Sequence, residues 1–248
     1  MIKPQIKRQS GFTLVEIAIV LVIIGLLLGG ILRGQELIQG ARVRNIIDQQ
    51  NGIKAAFFGF QDRYRGIPGD LTAAQVTQVG GGVLGATPVL TAGNGVVEAA
   101  DSGTAFQNLT VSGFLACSVC TAVGISTAAN SPVNVYGGVL EIVTNGNLAS
   151  LSAGVYSPTQ PGTSILNNIK TGNLIPSNVM AEADVKIDNG NPYTGNLVFS
   201  QWSAGSANNP TQPNCAAGPA GAVAAWNNGQ AAAPGGAVNP NCGGATKL

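Results

Sequence analysis

The sequence predicts an α+β protein in which a long N-terminal helix, membrane-spanning in its first part, precedes a C-terminal head with an antiparallel β-sheet. Residues 12–32 are almost entirely apolar, over a length sufficient to cross a bilayer. Apolar residues then recur every three, four or seven positions up to Tyr64, as on one buried face of a helix. Further on, β-branched residues precede the turn-forming pair Asn145-Gly146, which is typical of a β-hairpin.

The charge distribution divides the chain of 248 residues into two parts. Its 12 Lys+Arg and 11 Asp+Glu nearly cancel, so no net field attracts nucleic acid or an acidic substrate. Only Lys170, Lys186 and Lys247 are basic beyond residue 70, whereas DNA binding requires clustered bases. The chain has no His, the usual general base and a common metal ligand. This composition fits an exported surface and gives little support to an enzyme.

Residues 1–11 form a basic leader in which Lys3, Lys7 and Arg8 occur without any acid. We expect the leader to stay in the cytoplasm, because basic residues are retained on that side of a membrane. A removable secretory signal peptide would have a shorter apolar stretch, followed by a cleavage site of small residues. The apolar run ends instead at Arg33-Gly-Gln-Glu, which argues against such a peptide.

Glu16 interrupts the apolar run, where an ionised carboxylate costs roughly 2.5–3.5 kcal/mol at membrane depth and needs a partner. Residues 11–16 read Gly-Phe-Thr-Leu-Val-Glu, which resembles the N-terminal signature of type IV prepilins and type II secretion pseudopilins. The resemblance implies that a membrane prepilin peptidase cuts between Gly11 and Phe12 and methylates the amine of Phe12. It also implies that Glu16 is the assembly residue, which pairs with the N-terminal amine of a neighbouring subunit.

The helix is predicted to have an assembly half at residues 12–33 and a half packed on the head at residues 34–66. Its expected end lies at residues 65–69, where Gly supplies a cap and Pro disfavours helix in the preceding residue. The alternative to a helix that packs against other subunits is a long stalk that only anchors the head in the membrane. The predicted buried face of the second half consists of Val43, Ile46, Ile53, Phe57, Phe60 and Tyr64.

The head is expected to span residues 67–248. Up to about residue 97 the sequence has few helix signals, and we interpret this stretch as loop with short strands. Residues 101–102 are expected to cap a short helix that carries Ala105, Phe106 and Leu109 and ends at Gly113. Ser177 or Asn178 is expected to cap a second helix, which the turn at residues 188–190 terminates.

Strands of the head are predicted at residues 133–144, 148–156 and 197–201, and the first two form the hairpin around Asn145-Gly146. Residues 67–70 and 184–192 resemble segments of bacterial proteins known only as prepilin-type. The resemblance is therefore close in the N-terminal helix and looser in the head.

Asp184 and Asp188, together with Asn189 and Asn191, offer clustered oxygens of the kind that Ca²⁺ accepts. The spacing of an EF-hand is absent, and roles at the end of a helix and in a turn explain the same residues. We favour those structural roles, and we expect no metal and no cofactor.

The four cysteines of an exported head indicate disulfide bonds, although the sequence leaves their connectivity open. Type IV pilins often close a C-terminal loop with a disulfide, so the resemblance favours a Cys215–Cys242 bond. Cys117 and Cys120 have the spacing of a redox motif but not its βαβ setting. A small-loop disulfide is the favoured interpretation of that pair, and redox or metal roles are the alternatives.

The resemblance implies a structural function, that of a pilin or minor pilin which polymerises with its own copies and other pilin subunits at an inner-membrane assembly platform. Before assembly the chain would lie in the inner membrane, and afterwards in an extracellular or periplasmic filament. A pseudopilin of a type II secretion system is the alternative within the family. A filament-tip adhesin or DNA-binding minor pilin has thin support, and an anchored enzyme lacks any recognisable catalytic motif.

Overall fold

The chain separates into two units, Met1–Ala41 and Arg42–Leu248. Helix α1 (Leu14–Tyr64) is continuous and contributes residues to both, which confirms the long N-terminal helix. The computed structural model describes residues 11, 13–80, 93–144, 167–192, 195–200, 215–217, 225–226 and 238–248.

The part of α1 that belongs to the second unit buries one face. The predicted positions are confirmed, with Tyr64 partly buried against the core, and the first buried residue is Val43. The predicted boundary at residue 34 stays a prediction. The helix ends at Tyr64, and the residue that takes up the left-handed conformation there is Arg65 (φ 52°) rather than the expected Gly. The buried residues of α1 are Val43, Ile46, Gln50, Ile53, Ala56, Phe57 and Phe60.

In the described part of the chain three shorter α-helices follow α1, and the first corrects the sequence analysis. Helix α2 (Ala73–Gly80) lies in the stretch interpreted as loop. Its start is fixed by reciprocal hydrogen bonds, because the Thr72 backbone N–H donates to Gln75 Oε1 (2.9 Å) and the Gln75 N–H donates to Thr72 Oγ1 (3.4 Å). This arrangement is a capping box, which satisfies backbone donors that a helix start leaves unpaired.

The two helices predicted in the head are confirmed as α3 (Ser102–Val111), preceded by a 3-10 turn at Ala99–Asp101, and α4 (Ser177–Ile187). Asp101 occupies the predicted N-cap position of α3 but makes no side-chain hydrogen bond there. The predicted cap of α4 is wrong, because its N-cap residue is Pro176 rather than Ser177 or Asn178. The Ser102 hydroxyl donates instead to Ala99 O (2.8 Å). The Ser177 hydroxyl accepts a hydrogen bond from the Asn239 backbone N–H (3.0 Å), and it thereby ties α4 to the C-terminal segment.

The predicted antiparallel sheet is confirmed, with strand order β1-β2-β6-β3. The strand expected at residues 133–144 is wrong in its first part, where only an isolated bridge joins Val133 to Val139. The expected return strand at residues 148–156 lies outside the described residues. Strand β3 confirms the start of the strand predicted at 197–201. The strands are β1 (Glu141–Thr144), β2 (Asn167–Lys170), β3 (Leu197–Phe199), β4 (Ala216–Ala217), β5 (Ala225–Trp226) and β6 (Gly244–Lys247), with β4 and β5 paired separately.

The described residues of the second unit include two apolar core clusters, and α1 contributes to each. The first joins Phe57 and Phe60 to α3 and to the inward residues of β1 and β2. The second joins Val43 and Ile46 to α4, β3, Trp226 and the Cys215–Cys242 disulfide. This packing gives α1 the role of a common support for the helices and the sheet.

A buried ion pair lies on the sheet. Lys170 Nζ is 3.1 Å from Glu141 Oε2, and both side chains are inaccessible to solvent. Burial lowers the pKa of Lys170, although the Glu141 carboxylate opposes this shift. The two residues are direct cross-strand neighbours in the β1–β2 register, so strand pairing places the charges together.

Candidate processing and assembly segment

The predicted processing site lies just before the first turn of α1. Gly11 is exposed, and Phe12 lies outside the described residues. Thr13 and Glu16 form a capping box: the Thr13 backbone N–H and hydroxyl donate to Glu16 Oε2 (2.8 and 2.9 Å), and the Glu16 N–H donates to Thr13 Oγ1 (3.3 Å). The helix therefore starts after the Gly11–Phe12 bond, and Glu16 stands at its positive end.

Apolar side chains cover the beginning of α1 and are exposed throughout. This helix is long and apolar enough to cross a membrane, and none of its most apolar stretch is buried within the chain. Leu14 is 91% exposed and Leu26 is 73% exposed. Exposed apolar surface of this extent marks a site that contacts lipid or other protein.

Charged groups flank this apolar stretch but do not neutralise Glu16. At the far end, Arg33 Nη1 and Glu36 Oε2 form an exposed ion pair at 2.8 Å. Among the described residues, no Lys or Arg forms an ion pair with Glu16. The carboxylate is hydrogen-bonded by Thr13 alone of the residues described, so it retains an uncompensated negative charge.

The cysteines lie in two separate parts of the second unit. Cys215 and Cys242 are bonded, with Cα atoms 5.6 Å apart, and both are buried in the second apolar cluster. Cys242 also exchanges two backbone hydrogen bonds with Ile175, at 2.8 and 3.1 Å. Cys117 and Cys120 are bonded within a short loop after α3, and Cys120 contacts the first apolar cluster. Each bond thus reinforces a different region of the core.

Asp184 and Asp188, which were considered as calcium ligands, accept hydrogen bonds from groups of the same chain. Asp184 Oδ2 accepts a hydrogen bond from Trp226 Nε1 at 2.6 Å. The Asp188 carboxylate accepts backbone N–H groups of Asn189, Asn196 and Leu197, the last at 3.1 Å. Within the described ranges, no three His, Cys, Asp or Glu residues come together in a group able to hold a metal ion. Asp188 thus organises the turn after α4, as the sequence analysis favoured.

Thr13 is a residue that the sequence analysis missed. The signal was present, because a Ser or Thr followed three residues later by Glu or Gln is the sequence pattern of a capping box. The same pattern at Thr72 and Gln75 marks the start of α2. The proximity of Glu16 to Thr13 also gives the glutamate a local role in the helix, separate from any role between subunits.

Comparison with known proteins identifies the N-terminal segment. Residues 6–32 match the family model described as the prokaryotic N-terminal methylation motif. The matched residues include the basic end of the leader, Gly11, Glu16 and the whole apolar run. No curated protein and no solved structure matched the chain. The motif is the hallmark of the type IV prepilin and pseudopilin family, and its presence supports a type IV pilin-like or pseudopilin precursor.

Proposed function

We propose that the chain is a structural subunit, a pilin or minor pilin, of a type IV pilus-like filament. Prepilin peptidase cuts between Gly11 and Phe12 and methylates the new amine, and the mature chain then assembles through the apolar part of α1. The observation that supports this function is Glu16, a carboxylate that forms no ion pair with any described residue, in a helix start whose neighbouring side chains are exposed and apolar. The motif over residues 6–32 supports the processing step.

Transfer of this segment from water into a bilayer or between other subunits would desolvate Glu16. An unpaired buried carboxylate is costly, and an opposite charge within a few ångströms offsets that cost. Cleavage creates an α-amino cation at Phe12, one helical turn before Glu16. A processed neighbour can therefore neutralise the carboxylate, whereas an uncut chain cannot, and this difference makes processing a condition for assembly.

The capping box is a competing explanation of Glu16, and the two explanations predict different results for Glu16→Gln. Glutamine also completes a capping box, so this variant keeps the helix start and removes only the charge. Glu16→Ala removes both. We expect both variants to be processed and to enter the membrane, but to yield far fewer fibres than the natural chain. Normal fibre yield for Glu16→Gln would contradict a role of the charge in assembly.

Processing is tested separately by the mass of the chain recovered from membranes and sheared fibres. The expected product begins at Phe12 with a methylated amine, and Gly11→Val is expected to leave the leader attached. A native product that keeps its leader, or that is cut beyond residue 32, would overturn the proposed processing site. The variant also serves as an assembly control, because it keeps Glu16 but never gains the Phe12 amine.

The partners in this proposal are other pilin subunits, the peptidase and an inner-membrane assembly platform, and no nucleic acid. Long surface fibres that contain the head are the expected location of the assembled chain. Short periplasmic assemblies, together with a defect in protein export when the gene is deleted, would instead assign the chain to a type II secretion system. Electron microscopy of labelled cells, combined with a secretion assay, distinguishes these two members of the family.

A further inference from the structure

Three polar side chains are buried on one face of the four-stranded sheet, and two of them form its ion pair. Glu141 of β1 and Lys170 of β2 are direct cross-strand neighbours. Asn168 lies two residues before Lys170 on β2, so its side chain emerges on the same face. Each of the three residues is at most 1% exposed. This face of the sheet therefore encloses an amine, a carboxyl group and a carboxamide.

The two charged groups touch without the geometry of a hydrogen bond. Lys170 Nζ lies 3.1 Å from Glu141 Oε2, yet neither oxygen of the carboxylate has a hydrogen-bond partner among the described residues. Buried polar groups are normally hydrogen-bonded, and a buried carboxylate without hydrogen bonds is costly. The contact thus brings the nitrogen against the carboxyl group but leaves the buried charge poorly stabilised.

The surroundings of the pair are apolar and exclude water. On the same face, Ala245 of β6 is the other cross-strand neighbour of Lys170, and Val198 of β3 is the neighbour of Ala245. Val143 lies two residues after Glu141 on β1. These three side chains are also buried. In the described part of the chain, Lys170 is the base that forms an ion pair with Glu141, and no second base does so.

We propose that Lys170 Nζ and Glu141 Cδ become joined by an amide bond, a covalent cross-link between β1 and β2 that forms in the folded chain. A proton first passes from the ammonium group to the carboxylate, which gives an amine and a carboxylic acid. The nitrogen lone pair then attacks Cδ. As the C–N bond forms and one C–O bond breaks, the hydroxyl group leaves with a proton from the nitrogen as one molecule of water.

Burial supplies the driving force for this reaction. It lowers the pKa of Lys170 and so favours the neutral amine, which is the nucleophilic form. The amide product carries no charge, so the reaction removes two ions whose desolvation is costly. Groups held in contact within one molecule react as if present at ~10⁵–10⁸ M. The net change is the loss of water from the pair, so no oxidant, reductant or activating group is consumed.

The cross-link would fix the outer strand of the sheet. In the strand order β1-β2-β6-β3, β1 lies at one side and pairs with β2. An amide bond between these two strands prevents β1 from separating from the sheet. Unlike the bonds Cys117–Cys120 and Cys215–Cys242, it also persists when thiols reduce the protein.

Trypsin digestion tests the cross-link on the full chain, extracted from membranes in detergent and then denatured and reduced. Trypsin cuts after Lys and Arg but not after an acylated Lys, and Lys170 is the one Lys or Arg between Arg65 and Lys186. We expect one peptide of residues 66–186, lighter than its sequence mass by one water molecule. Its fragmentation spectrum should lack breaks between residues 141 and 170, because the ring holds both pieces together.

The digest also separates the cross-link from the proposed function. Leader cleavage and methylation change residues 1–12, whereas the diagnostic peptide begins at residue 66. A failure of the predicted processing would therefore leave this peptide unchanged, and the absence of the cross-link would leave the processed N-terminus unchanged.

Lys170→Arg is the matched control, because its guanidinium keeps a positive charge beside Glu141 but is not deprotonated in proteins and cannot act as the nucleophile. Trypsin also cuts after Arg. We therefore expect this variant to release residues 66–170 as a separate peptide with the full mass of its sequence. If the variant does not fold, the digest of the natural chain is decisive by itself.

Two results would overturn the cross-link to Glu141. The first is complete cleavage after Lys170 in the natural chain, with residues 66–170 at full mass, which would show that the pair is only ionic. The second is a 66–186 peptide that is lighter by one ammonia instead of one water. That result would show that Lys170 had reacted with a carboxamide, such as the one of Asn168, rather than with Glu141.

Discussion

The two units of the chain differ in the solvent exposure of their apolar side chains, although helix α1 contributes to both. In Met1–Ala41 the leucines and isoleucines of α1 are exposed, whereas in Arg42–Leu248 the same helix buries Val43 and Phe60 completely. The second unit supplies its own apolar contacts. The first depends on contacts from outside the chain, either with lipid or with other subunits.

The two units also differ in whether a carboxylate has a counter-charge in the same chain. The second unit places Lys170 against Glu141 within its sheet, so that this buried carboxylate has its counter-charge in the same chain. In the first unit Glu16 has hydrogen bonds from Thr13 but no cation among the described residues. The second unit therefore provides partners for its apolar and charged side chains within one chain, whereas the first unit needs partners from elsewhere. The following variants test this difference between the units.

The largest effect is expected from Phe60→Ala, which removes a fully buried ring of the first apolar cluster. Loss of such a ring costs about 3–5 kcal/mol of unfolding free energy. Phe58, two residues earlier and 44% exposed, is the matched control, and Phe58→Ala should cost less than about 1 kcal/mol. Denaturant unfolding followed by near-ultraviolet circular dichroism measures both. Equal losses of unfolding free energy in the two variants would contradict the assignment of one buried and one exposed face to this part of α1.

An intermediate effect is expected from the disulfides. Replacing Cys215 and Cys242 by Ser opens a loop with a sequence separation of 27, which costs about 3.5 kcal/mol in the chain-entropy model. The Cys117–Cys120 loop has a separation of only 3, so the equivalent double variant should lose about half as much. The unfolding free energies of the two double variants, each compared with that of the natural chain, show which disulfide contributes more. A larger loss for the short loop would show that local packing outweighs chain entropy.

The smallest effect is expected from Thr13→Ala, which removes the capping hydroxyl of α1. Loss of a Thr cap costs about 1 kcal/mol, confined to the first turn. Hydrogen exchange of the backbone amides at residues 14–17 should quicken several-fold in micelles, whereas Thr13→Ser should match the natural chain. The unfolding midpoint of the second unit should not change in either variant, and a shift would contradict the separation of the two units.

Periodic and local features of the fold could be predicted from the sequence. The buried face of α1 follows from helical spacing alone, and α3 and α4 follow from apolar residues bounded by Gly or by a turn. Helix α2 was missed because it was interpreted together with the Gly-rich stretch that follows it, although its own residues include two Ala and two Gln, which favour helix, and because its capping box at Thr72 and Gln75 was overlooked. The Thr13 box was overlooked for a similar reason, since the apolar run dominated the interpretation of the segment.

Nonlocal features could not be predicted in the same way. Strand β2 contains Asn167, Asn168 and Lys170, which are poor strand formers, and it becomes a strand because β1 and β6 pair with it on either side. The bond between Asp184 and Trp226 joins residues far apart in sequence. In the N-terminal segment, Glu16 could be singled out from the sequence because its unusual feature, an acid in an apolar run, is local, and its role in assembly stays a prediction.

The order of strands in the sheet has a consequence for how the protein is made. Strand β6, the last along the chain, lies between β2 and β3 and hydrogen-bonds to both. During synthesis the apolar helix is made first, whereas the sheet can close only after the residues of β6 are available. The contacts that complete the head therefore have high sequence separation, which slows folding. Until β6 is available, one edge of β2 and one edge of β3 lack their partner, and unpaired strand edges of this kind are prone to aggregation.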